Sequence, residues 1–336
     1  MPGPDSFARR AHGVSDEGRL IGARVAVLGG TGFAGRSILD DLKAAGICAQ
    51  AFSRRTGCDL LDEPRALAAL HGFRPTHLVN CAAVVGSVNY AEEFSADVID
   101  VNARLVLNTY RVAERLAGVV VVNLVANCAY PGTMDLYEES RLWVGPTHPS
   151  VQSYGESRRL LLALADCYQR QKGLLSINLM VPNMYGPYDS TDPNKTHALN
   201  ALALKFARAV RDGATQVEVW GTGRPVREWL FVRDMARVVR QLIEDGARLE
   251  EPVNIAQRRG FTVSDLVELV RKAAGYEGSI VYNTAYGDGA PQKVMDDRRF
   301  RQHFPSFAFT PIETGIRATL DYYAEAMKQD REHFLL

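Results

Sequence analysis

Apolar residues fall into short β-branched blocks separated by longer amphipathic stretches. The block Arg24-Val25-Ala26-Val27-Leu28 ends in glycines and predicts a buried strand. Residues 33–45 place apolar positions at helical spacing and stop at Gly46, which predicts a helix. A second strand is expected over 47–53. A helix over 61–70 has Pro64 in its first turn, where a missing N–H costs little. A third strand is expected over 77–83 and a long helix over 91–117. Residues 119–124 are mostly valine, the pattern of a central parallel strand buried on both faces. A helix over 154–172 and a strand over 176–181 follow. This alternation predicts an α/β fold, a Rossmann-type doubly wound parallel sheet.

The pattern changes after Pro182. Pro187, Pro193, Gly213, Gly221, Gly223 and Pro225 cut the chain into shorter pieces. A smaller, mixed α/β substrate lobe is expected over 183–330, interleaved with a dinucleotide-binding domain over 21–182. Residues 1–20 carry Pro2, Gly3, Pro4 and several charges with no apolar h-region. They read as a disordered tail rather than a secretory signal.

The chain has 336 residues, ample for two lobes. Lysine plus arginine equals aspartate plus glutamate at 39 each, so no global charge draws the protein to nucleic acid or a membrane surface. No apolar run approaches the roughly 20 residues that span a bilayer. Cys48, Cys58, Cys81, Cys128 and Cys167 are odd in number and form no CxxC pair. They suggest neither a metal site nor a disulfide framework, and a reduced, cytoplasmic setting is expected.

The first strand runs into Gly29-Gly30-Thr31-Gly32-Phe33-Ala34-Gly35, which opens a helix. Backbone N–H groups and the helix dipole at such a start hold a pyrophosphate, and glycines let the backbone approach it. Gly29, Thr31, Gly32, Phe33 and Gly35 are therefore candidate cofactor contacts. The second strand ends in Ser53-Arg54-Arg55, where a cofactor lacking a 2′-phosphate would meet an acid. The planar fork of arginine suits a phosphate, so NADP(H) is the expected cofactor. Asp59, beside Leu60, is placed to accept from an adenine amino group.

Several further segments carry a resemblance. Cys81-Ala82-Ala83 closes the third strand, and Cys128-Ala129-Tyr130-Pro131 follows the fourth. Tyr154 lies on a later helix. Pro182-Asn183-Met184-Tyr185-Gly186-Pro187-Tyr188-Asp189 leads to Asn194-Lys195-Thr196-His197. Val219-Trp220-Gly221-Thr222-Gly223 precedes Arg227-Glu228, and Asp288-Gly289-Ala290-Pro291-Gln292-Lys293 comes last. From about Ala23 to Tyr323 the chain resembles the GDP-L-fucose synthases, extended short-chain dehydrogenase/reductases.

Those enzymes epimerise C3 and C5 of GDP-4-keto-6-deoxy-mannose and then reduce C4 with NADPH. The resemblance implies Cys128 and His197 as the epimerising pair. Cysteine and histidine suit proton exchange beside a ketone, which acidifies the neighbouring C–H. It also implies Tyr154 and the residue at 158 as catalytic members of a reductase set and, with Ala82, as cofactor contacts. Asn183, Lys205, Trp220, Arg227 and Lys293 are implied contacts to a nucleotide-diphosphate sugar, GDP-linked by the same resemblance. A homodimer through the 91–117 and 154–172 helices is implied too. Arg233 and Asp234 are expected to form an ion pair at a helix start.

The reductase set departs from the pattern. The family lysine is replaced by Arg158, and the family serine by Ala126, followed by Asn127. Arginine brings charge but cannot shuttle a proton, and Ala126 has no hydroxyl. Asn127 is a substitute donor, expected to lie on the strand and face another way. The favoured reading is an epimerase whose ketone reduction is weakened or lost. A complete epimerase-reductase and an epimerase working by transient C4 oxidation are the alternatives within enzymes. A non-catalytic cofactor-binding protein is the alternative outside them, and retention of Cys128 with His197 counts against it.

Overall fold

The computed structural model describes residues 22–192 and 195–334. The expected N-terminal tail lies outside them, as do Pro193 and Asn194. The first half comprises β1 (Arg24–Leu28), α1 (Phe33–Ala44), β2 (Cys48–Phe52), α2 (Glu63–Phe73) and β3 (His77–Asn80). It continues with α3 (Val88–Glu93), α4 (Ser95–Arg115), β4 (Val120–Ala126), α5 (Gln152–Lys172) and β5 (Ser176–Val181). Next come β6 (Asn183–Tyr185), α6 (Ala198–Asp212), β7 (Gln216–Trp220), β8 (Val226–Phe231), α7 (Val232–Glu244) and β9 (Val253–Asn254). The chain closes with β10 (Gly260–Thr262), α8 (Val263–Ala274), β11 (Ser279–Asn283), β12 (Gln292–Lys293), α9 (Arg298–His303) and α10 (Ile312–Phe334).

Six parallel strands form the main sheet in the order β2-β1-β3-β4-β5-β9. The order reverses between β1 and β3, the crevice where Rossmann-type sheets bind ligands. Because side chains alternate along a strand, each strand feeds two cores. Val121 and Val125 of β4 join one with helices α2, α4 and α5, while Val122 and Leu124 join the other with α1, α7 and α9. Strand β5 is buried along its whole length. Strand β9 and helix α7, from beyond Pro182, complete this sheet and its cover. A third core, built on Phe206, Leu266, Ile316 and Tyr323, packs α6, α8 and α10 over the short strands β6–β8.

One polar row crosses the apolar centre. Asn80, Asn123 and Asn178 are register partners on β3, β4 and β5. Asn80 Nδ2 donates to Asn123 Oδ1 at 3.1 Å, and Asn123 Nδ2 donates to Asn178 Oδ1 at 2.9 Å and to the Tyr110 hydroxyl at 2.8 Å.

Two expected elements differ. Strand β3 stops at Asn80, three residues early, because the Asn80 carboxamide captures the Ala82 amide at 3.2 Å and turns the chain out of the sheet. The single helix over 91–117 is two helices, α3 and α4. Phe94 breaks it at φ −110°, ψ 35°, with its ring 4.9 Å from that of Tyr90. No helix among the described residues is long and apolar enough to cross a membrane.

Candidate active site

The glycine loop is a cradle with no room for side chains. Gly29 takes φ +71°, and a Cβ there would come within 2.9 Å of the Cys81 carbonyl oxygen. A Cβ on Gly30 would lie 2.7 Å from the Val27 carbonyl, and one on Gly35 2.5 Å from that of Gly29. Gly32 is the N-cap of α1, with no side-chain cap and no acid in the first turn. The first amides of the helix therefore face outward with their positive dipole end uncompensated, as an anion requires. Thr31 Oγ1 donates to Ser53 Oγ at 3.0 Å, and the Ser53 amide donates to Thr56 Oγ1 at 2.8 Å. This folds residues 54–56 into a short turn that presents Arg54 and Arg55 to solvent beside the loop. Asp59 Oδ1 accepts from the Leu61 amide at 3.0 Å, and the buried Leu60 gives its carbonyl to Asn108 Nδ2 at 2.7 Å. The cradle, the uncapped helix end and the paired arginines fit a phosphorylated dinucleotide.

Across the crevice, β4 ends at Ala126 and the chain enters a single 3-10 turn, Asn127–Ala129. Asn127 thus sits past the strand rather than on it, because the chain leaves extended geometry after Ala126. Its Nδ2 is buried with no hydrogen-bond partner among the described residues. A buried amide donor without an acceptor is costly and points to a ligand.

Cys128 occupies the middle of the same turn, held from two sides. Arg159 Nε donates to the Ala129 carbonyl at 2.8 Å while its Nη2 reaches the carbonyls of Leu142 and Gly145. Gly155 lets α5 approach, since a Cβ there would lie 2.6 Å from the Cys128 carbonyl. Burial pushes the Cys128 thiol up to about 11, against opposing pulls from Lys293 and Arg158.

Tyr154 projects from the first turn of α5, with the Arg158 guanidinium 5.0 Å from its ring centre. Burial raises the Tyr154 phenol pKa, Arg158 lowers it and Cys128 raises it further. Arg158 is only 2% exposed. Its Nη2 donates to Asn102 Oδ1 at 3.3 Å and its Nε to Ser157 Oγ at 3.4 Å, so part of its donor set is spent inside the protein.

His197 is the N-cap of α6. The buried Asp189 carboxylate accepts from the His197 backbone amide at 2.9 Å and from its Nδ1 at 3.0 Å. A carboxylate can only accept, so Nδ1 carries the hydrogen and Nε2 is left to exchange a proton. The His197 ring lies 5.2 Å from that of Phe33 in the glycine loop. Tyr188 beside Asp189 holds a positive φ of 77°, an uncommon backbone for a residue with a side chain. Among the described residues no contact joins His197 to Cys128.

The candidate phosphate ligands divide into two groups. Arg227 and Lys293 are direct register partners on β8 and β12. Burial lowers the pKa of both, Lys293 also feels Cys128 and Arg227, and neither forms an ion pair among the described residues. Two partly buried cations side by side favour an anion between them. Lys205 stands apart: its Nζ donates to the Glu218 carbonyl at 3.0 Å and lies 4.6 Å from the Trp220 ring centre. Trp220 itself stacks on Tyr286 at 4.3 Å. Asn183 opens β6, paired with Trp229 of β8.

The expected Arg233–Asp234 pair does not form. Asp234 is bonded at 2.7 Å to Arg237, one helical turn on, and Arg233 lies over the Phe231 ring. Asp189, Asn102 and Arg159 are neighbours of the candidate residues to which the sequence assigned no role. Asp189 had a usable signal, an acid eight residues before the histidine. The others meet the site only through tertiary packing.

The family model described as the NAD dependent epimerase/dehydratase family matches residues 25–256. The chain is 31% identical over 306 residues to the probable GDP-L-fucose synthase 1 of Oryza sativa subsp. japonica, covering 90% of this chain and 93% of the relative. It is 28% identical to the GDP-L-fucose synthase of Escherichia coli (strain K12), over 92% of this chain and 98% of that one. A GDP-L-fucose synthetase from Naegleria fowleri shares the fold, with a TM-score of 0.82 at 23% identity over 91% of this chain and 94% of that chain. The chain therefore belongs to the NAD dependent epimerase/dehydratase family of extended short-chain dehydrogenase/reductases, and groups there with the GDP-L-fucose synthases.

Proposed function

We propose that this protein is a nucleotide-sugar enzyme that binds NADP(H) and a GDP-linked 4-keto-6-deoxy sugar. It inverts C3, C5 or both through Cys128 and His197, and its reduction of the C4 ketone is weak or lost. The relatives named as GDP-L-fucose synthases support the substrate class. A related fold solved with NADP bound supports the cofactor, as do Arg54 and Arg55 beside the cradle.

The single observation that carries the epimerase half is the pair of poised groups. Cys128 rests as a thiol, so it serves as the acid, which leaves the acceptor role to Nε2 of His197. The histidine removes a proton from the carbon beside the ketone, and that C–H electron pair moves into the carbonyl as an enolate. Cys128 returns a proton to the opposite face of the same carbon, inverting it. Lys293 beside the thiol favours the thiolate left behind. Asn127, whose Nδ2 has no partner among the described residues, would supply a donor to the enolate oxygen.

NADPH, when bound, supplies a hydride for C4. The residues that would serve that step are impaired: Ala126 offers no hydroxyl, and Arg158 is turned onto Asn102. The complete epimerase-reductase stays as a second reading, favoured by Tyr154 with a cation one helical turn away. Incubation with the 4-keto-6-deoxy sugar nucleotide and NADPH in deuterated water decides between them. Deuterium at C3 or C5 without NADPH oxidation supports the proposal, and stoichiometric NADPH oxidation at the rate of exchange refutes it. A homodimer through α4 and α5 is part of the proposal, supported by the exposed Phe94 and Ile99 at one end of that face.

A further inference from the structure

Glu228 follows Arg227 in β8 and is completely buried. A carboxylate taken out of water needs partners to replace its hydration. Here they are backbone amides, and no cation pairs with it among the described residues. One oxygen accepts from the Gln257 amide at 2.5 Å and the other from the Met295 amide at 2.8 Å. The backbone amides of Arg258 and Arg259 also favour the charged form. Burial pushes the carboxyl up to about 7 although all four amides act the other way.

The donors belong to two separate segments. Residues 257–259 connect β9 to β10, and Met295 lies two residues beyond Lys293. One side chain therefore ties β8, with its Arg227, to the segment that carries Lys293. That tie is needed because β12 has only two residues. A strand so short fixes its own register poorly. It must also hold Lys293 directly opposite Arg227, against the repulsion of two partly buried like charges.

We propose that Glu228 is a positioning residue for nucleoside-diphosphate binding: by gripping the Gln257 and Met295 amides, its carboxylate keeps Lys293 beside Arg227 so that both cations converge on one pyrophosphate. This rests on the reading of Arg227 and Lys293 as the diphosphate site. Glu228 touches neither substrate nor cofactor and acts through the backbone of β12. The substitution Glu228→Gln keeps the shape but sets an amide NH2 against a backbone N–H, so one grip is lost.

The test titrates GDP and, separately, NADPH into the full-length protein by calorimetry. Wild type, Glu228→Gln, Lys293→Met and the double variant are compared. GDP affinity falls about tenfold or more in Glu228→Gln, as for loss of a hydrogen bond to a charged group, and NADPH affinity is unchanged. In the Lys293→Met background Glu228→Gln causes no further loss, which a general packing defect would not reproduce. Wild-type GDP affinity in Glu228→Gln, or an equal loss with and without Lys293, overturns the proposal while leaving the diphosphate site standing. Failure of wild type itself to bind GDP overturns both. Should Glu228→Gln not fold, Glu228→Asp keeps the charge and shortens the reach. It is expected to bind GDP more weakly than wild type at normal NADPH affinity, and undiminished GDP binding refutes the tie.

Discussion

Asp189→Asn tests the proton-transfer pair most directly. The Asp189 side chain is 3% exposed and accepts from both the amide and Nδ1 of His197. An asparagine of the same shape can still accept one of these bonds. Its NH2 then faces Nδ1, which must become an acceptor, so the hydrogen moves to Nε2 and the histidine can no longer take a proton there. A hydrogen bond to a charged group contributes about 1.5–3 kcal/mol, and burial spares this one from solvent screening. At about 1.4 kcal/mol per tenfold in rate, deuterium exchange at C3 or C5 should slow roughly 10- to 150-fold. The assay follows exchange by NMR with NADP(H) present, and an unchanged melting curve controls for folding. Exchange within about threefold of wild type, beside a dead His197→Asn, would refute the argument that Asp189 sets the tautomer.

Five further outcomes are expected. Alkylation of Cys128, followed by mass spectrometry against the exposed Cys48 and Cys167, should be slow at neutral pH and rise towards about 11, and Lys293→Met should slow it further by removing a charge that favours the thiolate. Because an acid with a raised pKa stays protonated in the fold after the unfolded chain has ionised, the Cys128 contribution to stability is complete below about 9 and lost as pH rises towards 11; urea melts of wild type and Cys128→Ala across that window read it. Gly155→Ala should destabilise by about 1–3 kcal/mol through overpacking on the Cys128 carbonyl, offset by about 1 kcal/mol of helix propensity, measured by urea unfolding. Replacing Arg54 and Arg55 by alanine should weaken NADPH about tenfold and leave NADH unchanged, and the double change Ala126→Ser, Arg158→Lys should raise NADPH oxidation by the keto sugar at least about tenfold.

The main sheet was legible because its signals are local: β-branched blocks, a glycine loop opening a helix, and helices with one apolar face. The glycine loop is a local motif for the same reason, whereas the roles given to Cys128 and His197 are what the resemblance implies. The Phe94 break was not, since it is one backbone departure, at φ −110°, ψ 35°, with no glycine or proline to mark it. The fate of Arg158 was only half visible. Its charge is written in the chain, but its attachment to Asn102 joins residues 56 apart. Lys293 beside Cys128 and the grip of Glu228 on Met295 are equally non-local, so no pattern within one segment predicts them.

The asparagine row through the sheet has a consequence for how this chain avoids misfolding. Alternation of apolar and polar residues normally penalises a strand that slips by one position, because its apolar face turns to water. Strands β4 and β5 are largely apolar on both sides, so for them that penalty nearly vanishes, and aliphatic side chains would meet aliphatic side chains in the wrong pairing as readily as in the right one. A one-residue slip would instead strand the amides of Asn80, Asn123 and Asn178 among aliphatic neighbours. At about 1–3 kcal/mol for each unpaired group, the error approaches the whole stability of a domain, about 5–15 kcal/mol. The three asparagines act as a proofreading mark: they add little to the energy of the correct sheet and make its nearest competitor untenable.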